Sequence, residues 1–215
     1  QSWSGLDEVV RTGRPVPRGG RDHGSFIRAM HNNSVLTAPG VVASLDLRGV
    51  RTALDLGGGP GTYGIEFSRR GVEVTLFDLP DTIAIAREIV GAAGVSGVRF
   101  KDGDFHTDDI GSGYDLVLLS QILHSLSPEE SIELLKKVGN ALNPKGKAVI
   151  HEFALAEDHA SPPAGALFSI NMLVNTTGGR SYTPREMTGW LKTAGFGPAR
   201  VKRLANTVLV MGVKK

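Results

Sequence analysis

The segment from Thr52 to Thr62, TALDLGGGPGT, constrains the fold more than any other part of the chain. A short apolar strand reaches an acid, Asp55, and opens into a run of glycines followed by helix-forming sequence. A glycine-rich turn between strand and helix lets a ligand approach backbone N–H groups closely, and it is at home in open sheets of parallel strands. The rest of the chain must then supply alternating strands and helices to cover such a sheet.

The pattern meets that demand. After TALDL a short helix should reach Arg70 before Gly71 stops it, and VEVTLFD forms a second strand ending at Asp78. Pro80 opens a helix with Asp81 as its cap, and Ile83, Ala86, Ile89 and Val90 repeat at helical spacing until Gly91 or Gly94. GVRFKDGD is the third strand. YDLVLLS is nearly all apolar, as a central strand covered on both faces must be. Ser127 and Glu130 form a capping box with Pro128 in the first helical position, predicting a helix to about Leu142 along Ile132, Leu135, Val138 and Leu142. KAVIHEFA is a further strand. Thr183 and Glu186 repeat the capping logic for a helix through Met187, Trp190, Leu191 and Ala194 to Gly195. ARVKRL and TVLVMGV, joined around Ala205-Asn206, are too close for a parallel crossover and must pair antiparallel.

Upstream, Arg11 to Gly24 reads as a surface loop, and a helix from Ser25 sets Phe26 and Met30 on one apolar face before stopping ahead of Pro39-Gly40. The expected fold class is α/β, a doubly wound, mostly parallel, seven-stranded Rossmann-like sheet with a C-terminal antiparallel hairpin. Residues 1–48 are expected to be loop and helices packed on a domain formed by residues 49–215.

Composition removes several classes of function. The chain has 215 residues, room for one domain of this size, and 40% hydrophobic with 21% charged residues is the balance of a globular protein. A net charge of +2 without a block of like charge gives no reason to expect nucleic acid as a partner. No apolar run reaches the roughly 18 residues of a membrane span. The absence of cysteine removes disulfides, thiolate metal sites and cysteine nucleophiles. His106, His151 and His159 lack the paired spacing or clustered carboxylates of a metal centre, so no metal is expected. With no signal peptide ahead of the first motifs, a cytoplasmic address is expected.

Two ligand templates compete at the glycine turn. Gly59-x-Gly61-x-x-Gly64 satisfies a dinucleotide pattern, which recurs by chance in a chain with 28 glycines. The rival is Asp-x-Gly-x-Gly-x-Gly over Asp55, Gly57, Gly59 and Gly61, which places a carboxylate where a pyrophosphate would be repelled and a cationic ligand without phosphates would not. S-adenosylmethionine, with its sulfonium and ammonium, is such a ligand. Asp78, at the end of the second strand, lies near the distance at which an acid accepts ribose hydroxyls in this architecture. Asp104 stands where an adenine amino group could be read, with Phe105 beside its ring.

Taken as a set, DLGGGPGT, LFDLPD, GDF, LLSQILHSLSPEE, HEFAL and GGRSYTPREMTGWLKTAGF resemble, in order and spacing, the class I S-adenosylmethionine-dependent methyltransferases. Among these the resemblance is to the small-molecule O-methyltransferases of the plant phenolic and acetylserotonin type and their bacterial relatives. It runs from about Trp3 to the C-terminus. The resemblance implies that Gly57, Gly59 and Asp78 hold the cofactor, released as S-adenosylhomocysteine. Asp104 and Phe105 match the adenine side and Ser34 a hydroxyl near the methionine end, while Leu79 and Ser120 complete the cofactor set. Members of the family carry a preceding helical domain that dimerises. This chain starts without Met and lacks that domain, so a fragment with weak activity by itself is expected, and a homodimer for full-length relatives.

The resemblance also implies the chemistry. His124, just past the apolar fourth strand, matches the catalytic histidine, which removes the proton of a hydroxyl acceptor while methyl is transferred in line. Glu152 matches a carboxylate that orients the histidine through its other ring nitrogen. Met30, Met172, Asn175 and Thr176 match positions lining the pocket of a small, aromatic acceptor. Two positions depart from the family pattern. An Asp usual after the histidine is Ser125, and a second orienting Glu falls at Ser181. These departures leave open carbon methylation of an enol or keto acceptor, or cofactor binding without turnover.

Overall fold

The computed structural model describes residues 2–15 and 22–215. Its strands are β1 (Thr52–Leu56), β2 (Glu73–Asp78), β3 (Val98–Asp102), β4 (Tyr114–Ser120), β5 (Leu142–Phe153), β6 (Arg200–Arg203) and β7 (Thr207–Val213). Eight α-helices accompany them among the described residues: α1 (Leu6–Thr12), α2 (His23–Ser34), α3 (Ala38–Ala43), α4 (Thr62–Ser68), α5 (Pro80–Ala92), α6 (Pro128–Ala141), α7 (Pro163–Asn175) and α8 (Pro184–Thr193). Hydrogen bonding orders the strands β3-β2-β1-β4-β5-β7-β6 in one seven-stranded sheet. β1 pairs parallel with β2 and β4, β2 parallel with β3, and β6 antiparallel with β7. The α/β class, the strand count and the C-terminal hairpin are those expected from the sequence, and β4 is the middle strand.

The chain divides into two compact units. One comprises residues 20–120 and 140–147 and holds β1 to β4. Here Leu54, Leu56, Leu76, Leu116 and Leu118 are fully buried, because parallel strands flanked by helices are covered on both faces. Ile83 and Ala86 of α5 close over Leu76, with Val98 and Phe100 packed against them. The amino ends of β1 and β4 are tied by Asp115, whose carboxylate accepts from the Arg51 and Thr52 N–H groups and from Asn143 Nδ2. Burial alone would raise the Asp115 pKa, but these donors outweigh it and hold the group below its usual range.

The other unit comprises residues 1–19, 121–139 and 148–215. Both capping boxes are present. Ser127 Oγ accepts from the Glu130 N–H while Glu130 Oε2 accepts from the Ser127 N–H, and Thr183 and Glu186 do the same at α8. Tyr182 is fully buried, donates its hydroxyl to the Leu126 carbonyl at 2.5 Å and meets Trp190 edge-on. All four residues of β6 are exposed, and its Arg200, Lys202 and Arg203 set charge along the sheet's edge, which discourages pairing with another chain.

Several expectations are corrected. Arg11 and Thr12 end α1, and His23 and Gly24 begin α2, so the loop reading fails at both ends, while residues 16–21 lie outside those described. The Asp22 carboxylate starts α2 by accepting from the Ser25 N–H. That helix stops at Ser34, ahead of Pro39 as expected, and Pro39 sits in the first turn of α3, where its missing N–H costs nothing. Its buried residue is Ile27, and Phe26 is exposed, so the four-residue spacing of Phe26 and Met30 marks no core stripe. In α6 Leu134 is buried and Ile132 only half-buried, and β5 begins at Leu142, directly after the helix.

Candidate active site

In the first unit β1 carries Asp55, wholly buried, to the carboxyl end of the sheet. Gly57, Gly59 and Gly61 then take φ of 63°, 54° and 80°, a region that costs an L residue roughly 1–2 kcal/mol. Gly58 is required for a different reason, since a Cβ there would lie 2.7 Å from Asp55 Cγ and Oδ2. Nothing lies within 4 Å of a Cβ built on Gly59. The turn is therefore packed tightly onto Asp55 and open at Gly59.

Two carboxylates serve this turn. Asp55 Oδ2 accepts from the Gly64 N–H at 3.1 Å, while Oδ1 is buried without a hydrogen-bond partner. Burial pushes the Asp55 pKa up to about 7; the Gly64 N–H opposes the shift and the negative Asp78 adds to it. Asp78 Oδ2 accepts from the Gly59 N–H and Oδ1 from the Leu79 N–H, each at 2.8 Å. Burial raises the pKa of Asp78 against those bonds. The Thr82 side chain adds a third hydrogen bond to this carboxylate, which leaves one of its four lone-pair sites open. Asp81 does not cap α5 as expected: the N-cap is Leu79, exposed and without a capping side chain, and Asp81 lies in the first turn. Asp78, immediately before the cap, engages the Leu79 N–H instead.

After β3, Asp104 organises its own turn, with Oδ1 accepting from the His106 N–H and its own N–H donating to Asp108 Oδ2, both at 2.8 Å. The Phe105 ring lies 4.6 Å from that of His106. Ser34 and Ser120 are brought together by a residue that sequence reasoning did not single out: Tyr63, the second residue of α4, hydrogen-bonds both through its phenol. Burial raises the Tyr63 pKa, and the two serines partly offset it. Beside it, His31 Nδ1 and Thr62 Oγ1 are 2.9 Å apart, and with Val35, Ile65, Glu66 and Ile89 they help line a cavity of about 290 Å³. Met30, half-buried on α2, lies in this unit.

The second unit contains the histidine. His124 sits in a 3-10 turn, Leu123–Ser125, and its Nδ1 is 2.7 Å from Glu152 Oε2, while its N–H donates to Glu152 Oε1 at 3.2 Å. Glu152 is buried and belongs to β5. A carboxylate only accepts, so in the neutral imidazole Nδ1 carries the proton and Nε2 holds the lone pair. Phe168 of α7 meets the His124 ring edge-on at 4.8 Å and lies against Phe153, the two rings tilted by 37° with centroids 4.1 Å apart. Helix α7 was not foreseen, because its apolar residues run without the polar alternation that marks a surface helix. Met172 is buried on it, and Asn175 and Thr176 close it, donating to Asn171 and to the Met172 carbonyl.

The departures have structural consequences. Ser181, where a second orienting Glu falls in the family pattern, donates its hydroxyl to the Gly165 carbonyl at 2.8 Å, pinning the first turn of α7. Ser125 donates to the Ile122 carbonyl at 2.7 Å. Glu152 is thus the hydrogen-bond partner of the His124 ring among the described residues. The neighbouring His151 is buried, which pushes its pKa down to about 4 and keeps its imidazole neutral. No group of three or more potential metal ligands occurs among the described residues, and no described helix is long and apolar enough to cross a membrane.

Comparison with known proteins places this geometry in a family. The family model for the O-methyltransferase domain matches residues 18–197. The chain is 38% identical over 229 residues to 3-hydroxy-5-methyl-1-naphthoate 3-O-methyltransferase of Streptomyces sahachiroi, covering 99% of this chain and 66% of that protein. It is 35% identical over 165 residues to acetylserotonin O-methyltransferase of Gallus gallus, covering 76% of this chain and 47% of that protein. Among solved structures, human N-acetylserotonin methyltransferase in complex with SAM superposes with a TM-score of 0.88 at 28% identity, over 99% of this chain and 66% of that one. The chain thus spans about two thirds or less of each of these relatives. Matched over most of its length by the family model, it belongs to the O-methyltransferase domain family.

Proposed function

We propose that this chain is the catalytic part of an S-adenosylmethionine-dependent O-methyltransferase acting on a small, aromatic hydroxyl acceptor, with His124 as general base. The observation that carries the proposal is the two-point contact of Glu152 with His124, at Nδ1 and at the backbone N–H. It fixes both the tautomer and the direction of the ring, leaving Nε2 to accept a proton.

The cofactor side fits the same reading. Asp55, buried with one oxygen unpartnered, and Asp78, with an acceptor site left open, favour a cationic ligand bearing hydroxyls over a pyrophosphate. That argument, together with the family, sets aside the dinucleotide reading. Gly57, Gly59 and Asp78 would hold the ribose and its attached chain, Leu79, Asp104 and Phe105 the adenine, and Ser34 and Ser120 the amino-acid end. The cofactor, when bound, supplies an electrophilic methyl group on a sulfonium.

The chain's own work is alignment and proton removal. A phenol with pKa of about 10 is mostly protonated at neutral pH, so Nε2 of His124 takes its proton as the oxygen becomes the nucleophile. Glu152 then faces an imidazolium and stabilises it at Nδ1. Phe168, backed by Phe153, gives that ring an apolar flank, which limits water around it. Met30, Met172, Asn175 and Thr176 are the proposed acceptor contacts.

The test compares wild type with His124→Ala and Glu152→Gln for S-adenosylhomocysteine affinity, by titration calorimetry, and for turnover on a panel of phenols, enols and keto acids. His124→Ala should lower turnover about 10²–10⁴-fold with cofactor affinity unchanged. Glu152→Gln should do so by a smaller factor. Unchanged turnover removes His124 from the role, and a product methylated on carbon replaces oxygen transfer with the alternative that Ser181 leaves open.

A further inference from the structure

We infer that Tyr63 is a positioning residue for the amino-acid end of the cofactor, an inference that rests on the methyltransferase reading above. In the sheet β1 lies between β2 and β4. Leu56 of β1 is in register with Phe77 on one side and Leu119 on the other. Asp78 and Ser120 are each the next residue, so they flank the start of the glycine turn from opposite sides. Two strand spacings separate them, roughly 10 Å. A nucleoside whose ribose lies on Asp78 has to extend its substituent across the turn toward Ser120.

Tyr63 is what the fold puts at that end. It follows the open turn by two residues, is buried, and its phenol hydrogen-bonds Ser120 at the end of β4 and Ser34 at the end of α2. A phenol offers one donor and accepts through its oxygen. Bound to two hydroxyls, it fixes which lone pairs and hydrogens the serines can present to a carboxylate and an ammonium. It also ties α2 to α4 and β4. Core packing would be served equally by phenylalanine at this position. The hydroxyl is the part that needs a polar explanation.

The experiment is titration of wild type and Tyr63→Phe with S-adenosylhomocysteine and with 5′-methylthioadenosine, which has the nucleoside and sulfur but no amino-acid end. Tyr63→Phe should bind S-adenosylhomocysteine about tenfold more weakly and methylthioadenosine within about twofold of wild type. Equal losses for both ligands, or none for either, overturn the inference. If Tyr63→Phe does not fold, Tyr63→Leu, which also removes the hydroxyl, must show the same selective loss. Wild type that binds neither ligand overturns the cofactor reading itself and this inference with it.

Discussion

Asp55 provides a quantitative test of the glycine turn. Its carboxyl is wholly buried, with a single hydrogen bond to the Gly64 N–H, and burial lifts its pKa from 3.8 to about 7. Between those values the folded protein holds a proton that the unfolded chain has released. Stability associated with this group is therefore complete below pH 3.8 and is lost as the pH rises through about 7. At about 1.4 kcal/mol per pH unit, the whole interval is worth about 4 kcal/mol. Asp78 contributes in the same direction, since burial raises its pKa as well. His151 acts the other way: its pKa is pushed down to about 4, so stability from this group is gained as the pH rises toward 6.5.

Asp55→Asn isolates this contribution. The amide keeps an acceptor for Gly64 but cannot ionise, and its unmatched N–H groups add a penalty that does not vary with pH. His151 cancels between the two proteins, while Asp78 loses a negative neighbour in the variant and so adds to the difference. Urea unfolding of the ligand-free protein should show wild type losing about 3 kcal/mol relative to Asp55→Asn between about pH 4.5 and about pH 8. Parallel profiles, agreeing in slope to within about 1 kcal/mol over that range, would mean that water or an unrecognised donor solvates Asp55, and the reasoning about the turn's charge preference would fall with it.

Two further outcomes test the frame around the histidine. Gly179→Ala would place a Cβ 2.2 Å from the His124 carbonyl, an atom of backbone that cannot swing aside. We expect turnover to fall at least tenfold while S-adenosylhomocysteine affinity, measured by calorimetry, is unchanged; wild-type turnover would show that the histidine loop is not held there. Thr183→Ala removes the capping box of α8 and should cost about 1 kcal/mol in urea unfolding without changing the cofactor affinity.

Much of the fold was legible because local signals agreed with the final arrangement. The two capping boxes, at Ser127 and Thr183, announce α6 and α8 through side chains only a few residues from the backbone groups they satisfy. β4 is legible from composition alone, since only a covered strand tolerates YDLVLLS. The N-terminal third was read less well. The start of α2 rests on Asp22 reaching Ser25, and its inward face is set by Ile27, which a pairing of Phe26 with Met30 does not indicate. Helix α7 is anchored by contacts remote in sequence, such as Ser181 with Gly165, that no local periodicity encodes.

The site shows the same division. Asp55, the glycines and Asp78 lie within one strand–turn–helix–strand stretch, so spacing suffices to group them. The pairing of His124 with Glu152 joins residues 28 apart in sequence and came only from a family pattern. Tyr63 escaped both routes. It stands in a helix where any large apolar residue would pack, and its role depends on two serines supplied by α2 and β4. Asp104 illustrates the opposite hazard. The bond from the His106 N–H to its Oδ1 satisfies the ordinary demand of a turn, so the sequence position alone cannot separate a residue that builds the loop from one that reads a base. An Asp104→Asn exchange separates them: the amide oxygen still accepts from the His106 N–H, whereas an NH2 donor replaces the second oxygen that would accept from an adenine amino group. A weakened affinity for methylthioadenosine with unaltered unfolding would assign Asp104 to the ligand, and unchanged affinity would return it to the loop.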